Sequence, residues 1–315
     1  MKLKQKDLLG LEYLSKEEIE LIIQTAKPFK NLFTRTVKKV PTLRGKTVVL
    51  LFYEPSTRTR TSFELAAKRL SADTIGISVS ASSVVKGESL IDTVKTIEAM
   101  KADFVVLRHG MSGAAHIVSK TISASVINAG DGMHEHPTQG LLDIFTILEK
   151  KEKIKGLNVA IIGDILHSRV ARSNIWGLNK LGANVFVVGP ATLIPAEIEK
   201  LNVEVHHNIE KIMHKLDVIN ILRIQRERQE QNLFPTFEEY SEIFGINSYK
   251  LRNAKNDIVI MHPGPMNRGA EISSEVAESK NSVITEQVTN GIAIRMSVLY
   301  LLAGGDGGES ETFNS

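Results

Sequence analysis

Hydrophobic and polar positions along this chain follow two rhythms. Short unbroken apolar runs, the pattern of strands buried on both faces of a parallel sheet, alternate with longer stretches in which apolar residues recur three and four apart, as on a helix. Residues 15–33 carry the helical spacing, with Ser15 as N-cap, Glu18 completing a capping box, and Ile19, Ile22, Ile23, Ala26 and Phe29 as the apolar stripe. Residues 47–53 read as a buried strand through Val48, Val49, Leu50, Leu51 and Phe52, and Pro55 stops it. From Ser56 the spacing turns helical again, and Phe63, Ala66, Ala67 and Leu70 make its apolar face.

The alternation continues with a strand at 74–79, a polar stretch at 80–88 expected to be a mobile loop, a helix at about 89–100, and strands at 103–107 and 125–128. Pro137 suits a first helical position, and Leu141, Leu142, Phe145 and Leu148 extend that helix to about 150. After the charged connector 150–156, strands are expected at 158–163, 184–188, 203–206, 218–222 and 258–261. A helix opens near Ser168, Arg169 and Arg172, and a final helix covers about 283–302. This succession predicts an α/β fold of two domains, each a mainly parallel sheet flanked by helices, with the active site in the cleft between them. The expected domains are 1–136 and 137–286, the C-terminal helix at about 287–303 packing back on the first, and 304–315 forming a polar, disordered tail. No internal repeat is found.

Composition narrows the possibilities. With 315 residues, 42% of them hydrophobic and 24% charged, the chain is long enough for two cores and ordinary for a globular protein. No apolar run reaches the roughly 18 residues that span a bilayer, and the opening Met-Lys-Leu-Lys-Gln-Lys-Asp has no signal-peptide core, so a cytoplasmic location without membrane contact is expected. The absence of cysteine excludes disulfides, thiolate metal sites and a cysteine nucleophile. A net charge of +3 is too small to suggest nucleic-acid binding, so any basic site must be local. The turn Gly163-Asp-Ile-Leu-His-Ser-Arg169 lacks Gly-x-Gly-x-x-Gly, which argues against a dinucleotide-dependent dehydrogenase.

The local chemistry is concentrated at strand ends. A helix starting at Ser56 offers unpaired N–H groups and a partial positive charge; Ser56, Thr57 and Thr59 add hydroxyls, and Arg58 adds a planar fork suited to phosphate. A Ser or Thr there is more often a simple cap, so the turn alone leaves both readings open. Arg108 ends the 103–107 strand, where ligands of open α/β sheets gather but surface ion pairs are also common. His136 starts a helix whose dipole disfavours imidazolium, so a neutral ring there is able to donate to a carbonyl oxygen, and Gln139 lies one turn on; a bland capping role is the competing reading. Past residue 222 an extended chain turns Arg223 and Gln225 to one face and Arg226 and Arg228 to the other, the latter pair read as solvated.

Taken as whole strings, Phe52-Tyr-Glu-Pro-Ser-Thr-Arg-Thr-Arg60 resembles the carbamoyl-phosphate signature of the aspartate and ornithine carbamoyltransferases, and His136-Pro-Thr-Gln-Gly-Leu-Leu-Asp143 resembles their second signature. His134 lies outside that match. Arg223-Ile-Gln-Arg-Glu-Arg228 is similar to the aspartate-binding loop of the aspartate members. The ornithine members would instead show a Ser-Met-Gly loop and a cysteine in His-Cys-Leu-Pro, where this chain reads His262-Pro-Gly-Pro265. The resemblance spans nearly the whole chain through four motifs in the family's order.

It implies transfer of the carbamoyl group from carbamoyl phosphate to L-aspartate, an early step of pyrimidine synthesis, with Arg58, Thr59, Arg108, His136 and Lys86 as catalytic residues. Ser56, Thr57, Arg58, Thr59 and Arg108 would hold the phosphate, His136 would polarise the carbamoyl carbonyl, Gln139 would bind the carbamoyl group, and the Gly264 and Pro265 carbonyls would accept from its amine. Arg169, Arg223 and Gln225 would clamp the aspartate carboxylates. Lys86, with Ser82, would come from a neighbouring subunit of a homotrimer and reach both substrates. Neither metal nor cofactor is implied. The alternatives are a carbamoyltransferase acting on another amine and an inactive scaffold homologue. Association with a regulatory chain or a dihydroorotase is left open.

Overall fold

The computed structural model describes residues 2–78, 88–224 and 236–305. Two compact units emerge, one of residues 1–141 with 289–315, the other of residues 142–288.

The first unit begins with helix α1 (Lys16–Asn31), where the Ser15 side chain accepts from the Glu18 amide and Glu18 accepts from the Ser15 amide in a complete capping box. Ile19, Ile22, Ile23, Ala26 and Phe29 are all buried; each large apolar side chain removed from water contributes about 1.5–3 kcal/mol, which is what fastens the helix. Strand β1 (Thr47–Phe52) leads to helix α2 (Thr57–Arg69), whose face of Phe63, Ala66, Ala67 and Leu70 is fully buried. Strand β2 (Asp73–Ser78), helix α3 (Leu90–Ala99), strand β3 (Phe104–His109), helix α4 (Ala114–Thr121), strand β4 (Ser125–Asp131) and helix α5 (Pro137–Lys151) follow. All pairings are parallel, in the order β2-β1-β3-β4. The connection from β1 goes to one edge and β3 lies on its other side, so the topological switch point falls between β1 and β3.

Two features of this unit differ from the sequence reading. Helix α4 was not expected: Gly113, in a left-handed conformation at φ +85°, is its N-cap without any side-chain cap, so none of the usual start signals is present. Strand β4 runs three residues past 128, because the Asp131 amide donates to the Glu135 carbonyl and a register shift near His109 brings Asp131 opposite it.

The second unit contains strand β5 (Asn158–Ile162), helix α6 (Arg169–Lys180), strands β6 (Asn184–Val188), β7 (Glu204–His206) and β8 (Val218–Ile221), helices α7 (Phe237–Phe244) and α8 (Ser248–Leu251), strand β9 (Val259–Met261) and helix α9 (Ser274–Ala277). Its sheet is also parallel, in the order β7-β6-β5-β8-β9, which places the switch point between β5 and β8. Ala160, Ile162, Ile219, Ile221 and Ile260 from the strands join Met213, Ile246 and Ile272 in one buried cluster. Helices α7, α8 and α9 were not expected from the sequence. They are one or two turns long, too short for a stripe to declare itself, though each has a side-chain N-cap from Thr236, Asn247 and Ser273.

The last helix, α10 (Ile284–Leu302), has apolar residues on nearly all sides. In the first unit its Arg295 donates to the Ser62 hydroxyl at 2.8 Å with the guanidinium 5.0 Å from the Phe63 ring centre, and the Ser297 hydroxyl donates to the Ile22 carbonyl at 2.7 Å.

Candidate active site

In the first unit the switch point collects the residues singled out from the sequence. β1 ends at Phe52, directly paired with Arg108 on β3, and the Tyr53 amide donates to the Arg108 carbonyl at 2.9 Å. The chain then enters α2 through Ser56, whose hydroxyl makes no capping bond, so the first-turn amides of α2 are not closed off by their own cap. Thr57 and Arg58 are exposed, Ser56 is half-buried and Thr59 is buried. Three hydroxyls, a guanidinium and a helix N-terminus thus follow the strand that pairs with Arg108.

Arg108 is half-buried and held from two sides. Glu54, in the β1–α2 turn, lies 3.5 Å from Nε, and Nη1 donates to the Ala129 carbonyl on β4 at 3.3 Å. Beside it, the Met111 amide donates to Nδ1 of His109 at 2.9 Å, which places the ring proton on Nε2, and burial pushes the pKa of this imidazole down.

His136 is buried at the entrance to α5, and its carbonyl accepts from the Gln139 and Gly140 amides at 2.9 and 3.2 Å, the first bonds of the helix. The turn before it is rigid. Asn128 donates to the Asp131 carboxylate at 2.7 Å, the Asp131 carboxylate accepts from the Glu135 amide at 3.2 Å, and the Glu135 carboxylate takes the Leu11 and Glu12 amides at 2.8 and 3.1 Å.

In the second unit Arg169 and Arg223 lie at the carboxyl ends of the adjacent strands β5 and β8, on either side of that sheet's switch point. Gly163 ends β5 at φ +125°, and a Cβ there would stand 3.1 Å from the Tyr240 hydroxyl and 3.4 Å from Leu222. The turn is then locked by buried Asp164, whose carboxylate contacts His167 Nδ1 at 2.9 and 3.0 Å and accepts the His167 amide at 3.1 Å. Ser168 caps α6 by accepting from the Ala171 amide at 3.1 Å, so Arg169 becomes its first residue and is 4% exposed. Arg223 is half-buried one residue past Leu222, whose amide donates to the Ile162 carbonyl at 2.8 Å.

The segment after β9 is anchored through buried groups. The His262 amide donates to Gln287 Oε1 at 3.0 Å, Gln287 donates to Asp143 Oδ1 at 2.8 Å, and Asp143 Oδ2 takes Asn174 and Asn220 at 2.8 and 3.1 Å. Nδ1 of His262 accepts the Gly264 amide at 2.8 Å, leaving Gly264 half-buried and Pro265 exposed. Gln225, Arg226 and Arg228, as well as Ser82 and Lys86, lie outside the described residues.

Several supporting residues were not recognised from the sequence. Glu54 and Asp143 stood inside the quoted signatures without a role, and only the fold brings them to Arg108 and Gln287. Asp164 and His167, three apart beside a Ser N-cap, carried the signal of a side-chain-locked turn.

Two parallel doubly wound sheets, each with arginines at its switch point, define an α/β protein built to hold anionic ligands at strand ends. Comparison with known proteins gives the family. Residues 6–149 match the carbamoyl-P binding domain of aspartate/ornithine carbamoyltransferase, and residues 155–302 match the Asp/Orn binding domain of the same group. The chain belongs to the aspartate/ornithine carbamoyltransferase family. It is 63% identical over 302 residues to the aspartate carbamoyltransferase catalytic subunit of Endomicrobium trichonymphae, covering 96% of this chain and 97% of that one. The same subunit of Halothermothrix orenii is 62% identical over 304 residues, at 96% and 97% coverage. Among solved structures, aspartate transcarbamoylase of Trypanosoma cruzi in complex with carbamoyl phosphate superposes with a TM-score of 0.87 at 29% identity, covering 95% and 96% of the two chains. Ornithine carbamoyltransferase of Pyrococcus furiosus reaches 0.84 at 31% identity, covering 98% and 100%.

Proposed function

We propose that this chain is a catalytic subunit that transfers the carbamoyl group of carbamoyl phosphate to the amine of L-aspartate, giving N-carbamoyl-L-aspartate and phosphate in pyrimidine synthesis. The observation that carries the phosphate half is the pairing of Phe52 with Arg108, which sets an uncapped helix N-terminus and a tethered guanidinium on neighbouring strands at one switch point. Choice of aspartate over ornithine rests on the relatives at 58–63% identity named aspartate carbamoyltransferase, on Arg223 with Gln225 in place of a Ser-Met-Gly loop, and on His262-Pro-Gly-Pro265 in place of a cysteine-bearing segment.

In this reading Ser56, Thr57, Arg58, Thr59 and Arg108 hold the phosphate. Gln139 and the carbonyls of Gly264 and Pro265 hold the carbamoyl amide. Arg169, Arg223 and Gln225 take the two carboxylates of aspartate. The amine attacks the carbamoyl carbon, charge builds on the carbonyl oxygen, where Thr59, Arg108 and His136 donate to it, and the C–O bond to phosphate then breaks, the departing phosphate taking the proton of the amine. Orientation of two bound anions and stabilisation of that oxyanion supply the rate, and donors of this kind are each worth about 10²–10³ in kcat. Most of the required positive charge is local, in a chain of net charge +3.

The domains that perform these halves are placed at 1–136 and 137–286, with the C-terminal helix returning to the first. Three chains form a trimer in the cytoplasm, each lending Ser82 and Lys86 to a neighbour's site. Among the described residues no helix is long and apolar enough to cross a membrane.

The test is product formation by the purified chain given carbamoyl phosphate with aspartate or, separately, with ornithine. Carbamoyl-aspartate alone is the expected result. Citrulline formation would transfer the assignment to the ornithine branch, and no product from a folded chain that binds carbamoyl phosphate would favour an inactive homologue.

A further inference from the structure

His134 lies outside the family signature, yet the fold gives it company. Helix α4 carries His116, the end of β4 carries Asp131, and the turn between β4 and α5 carries His134; one ligand atom from each lies within 4.8 Å of the others. The His134 Nδ1 to Asp131 Oδ2 distance is 3.1 Å, and the two imidazole rings meet edge-on with centres 5.5 Å apart.

We propose that His116, Asp131 and His134 form a binding site for one divalent transition-metal ion of the zinc class. Four observations carry it. Two imidazoles with one carboxylate are a donor set that suits zinc, cobalt or nickel and does not suit magnesium or calcium. Asp131 is fully buried, unlike the exposed acidic groups that cluster on many surfaces without an ion. Its carboxylate is already oriented by Asn128, by the Gly113 amide at 2.8 Å and by the Glu135 amide, the kind of outer support that fixes a metal ligand. Finally, Nε2 of His116 is buried and has no hydrogen-bond partner among the described residues, so a Lewis acid at this point would complete its coordination.

The geometry is near what an ion needs. Bonds of about 2.0–2.2 Å in a tetrahedron put ligand atoms roughly 3.3 Å apart. The His134–Asp131 edge is there already at 3.1 Å, and the two edges to His116, within 4.8 Å, must shorten by up to about 1.5 Å to reach that tetrahedral spacing. The ion would replace the proton between His134 and Asp131, leave a fourth position for water, and tie α4 to the turn that leads into His136.

Cobalt(II) is the probe for the test, added to the full-length chain after treatment with EDTA. The wild type should bind about one equivalent and show the intense visible bands of a four-coordinate ion with imidazole ligands. His116→Ala and His134→Asn each remove a ligand and should each weaken binding by at least about a hundredfold, the upper end of the loss seen for outer-shell partners. His206→Ala, which removes the exposed His206–Glu204 pair, should change nothing. An ordinary His–Asp hydrogen bond, with no metal role, predicts no saturable uptake by the wild type. That result overturns the proposal, as does uptake that survives the His116 and His134 variants together or follows His206. If a variant misfolds by circular dichroism, the wild-type stoichiometry and spectrum decide alone.

Discussion

At the scale of single residues, position and tether matter as much as charge. Arg108 is useful to an oxyanion only if its guanidinium is already aimed, and Glu54 at 3.5 Å with the Ala129 carbonyl at 3.3 Å provides that aim. Arg108→Ala should therefore lower kcat by about 10²–10³, the loss typical of one donor to a developing negative oxygen. Glu54→Gln keeps the size and loses the charge, so a smaller fall, about tenfold, is expected, with little change in the KM for carbamoyl phosphate. In the proposed site Arg223 holds a carboxylate in ground state and transition state alike, so Arg223→Ala should mainly raise the KM for aspartate. Steady-state kinetics with each substrate varied in turn separate the three outcomes; near-wild-type kcat for Arg108→Ala would remove it from the chemistry. The arginines themselves were legible because they sit in strings of recognisable composition at strand ends. Their supports were not, since Glu54 and Arg108 are distant in the chain and only the parallel pairing of β1 with β3 makes them neighbours.

At the scale of elements, long apolar patterns declared themselves and short ones did not. Nearly every expected strand and long helix is present within a residue or two, because burial on both faces leaves a sequence pattern that few alternatives share. Helix α4 escaped because Gly113 starts it without a side-chain signal, and with it went the position of His116. Elements are also joined by buried polar groups that no period reveals. Gln287 bridges the His262 amide and the Asp143 carboxylate, so Gln287→Leu removes the partner of the buried His262 amide and one bond of the Asp143 carboxylate, and should cost about 2–6 kcal/mol at about 1–3 per group. Urea unfolding followed by fluorescence of Trp176, which lies on α6 in the same unit, measures it; an unchanged midpoint would mean that water replaces the bridge. Asp103 joins the starts of β1 and β3 through Lys46 at 2.8 Å and the Thr47 amide at 2.9 Å. Burial raises its pKa, but the lysine and the amide outweigh burial and hold it below 3.8. The unfolded chain therefore takes up this proton first, and the stability that Asp103 contributes is present above 3.8 and lost as pH falls through the folded value. Asp103→Asn should lower stability by about 1 kcal/mol near neutral pH, with the difference from wild type shrinking in acid.

At the scale of the whole molecule, the residue least accounted for by a single chain is Lys86, which the family resemblance assigns to a neighbour's site. If one site takes Arg58 from one chain and Lys86 from the next around a threefold ring, two inactive variants should complement each other. Arg58→Ala lacks the phosphate fork and Lys86→Ala lacks the lent lysine, so each homotrimer has three defective sites. In any mixed trimer the cyclic order creates one junction at which a chain with intact Arg58 faces a chain with intact Lys86. Random assembly from equal amounts makes three-quarters of the trimers mixed, each with one good site in three, so about a quarter of wild-type activity should return. The recovery should follow dissociation and reassembly and be absent when separately assembled trimers are simply combined. A site contained within one chain predicts no recovery at any ratio, and that result would withdraw Lys86 from the shared machinery while leaving the phosphate turn of β1 and α2 untouched.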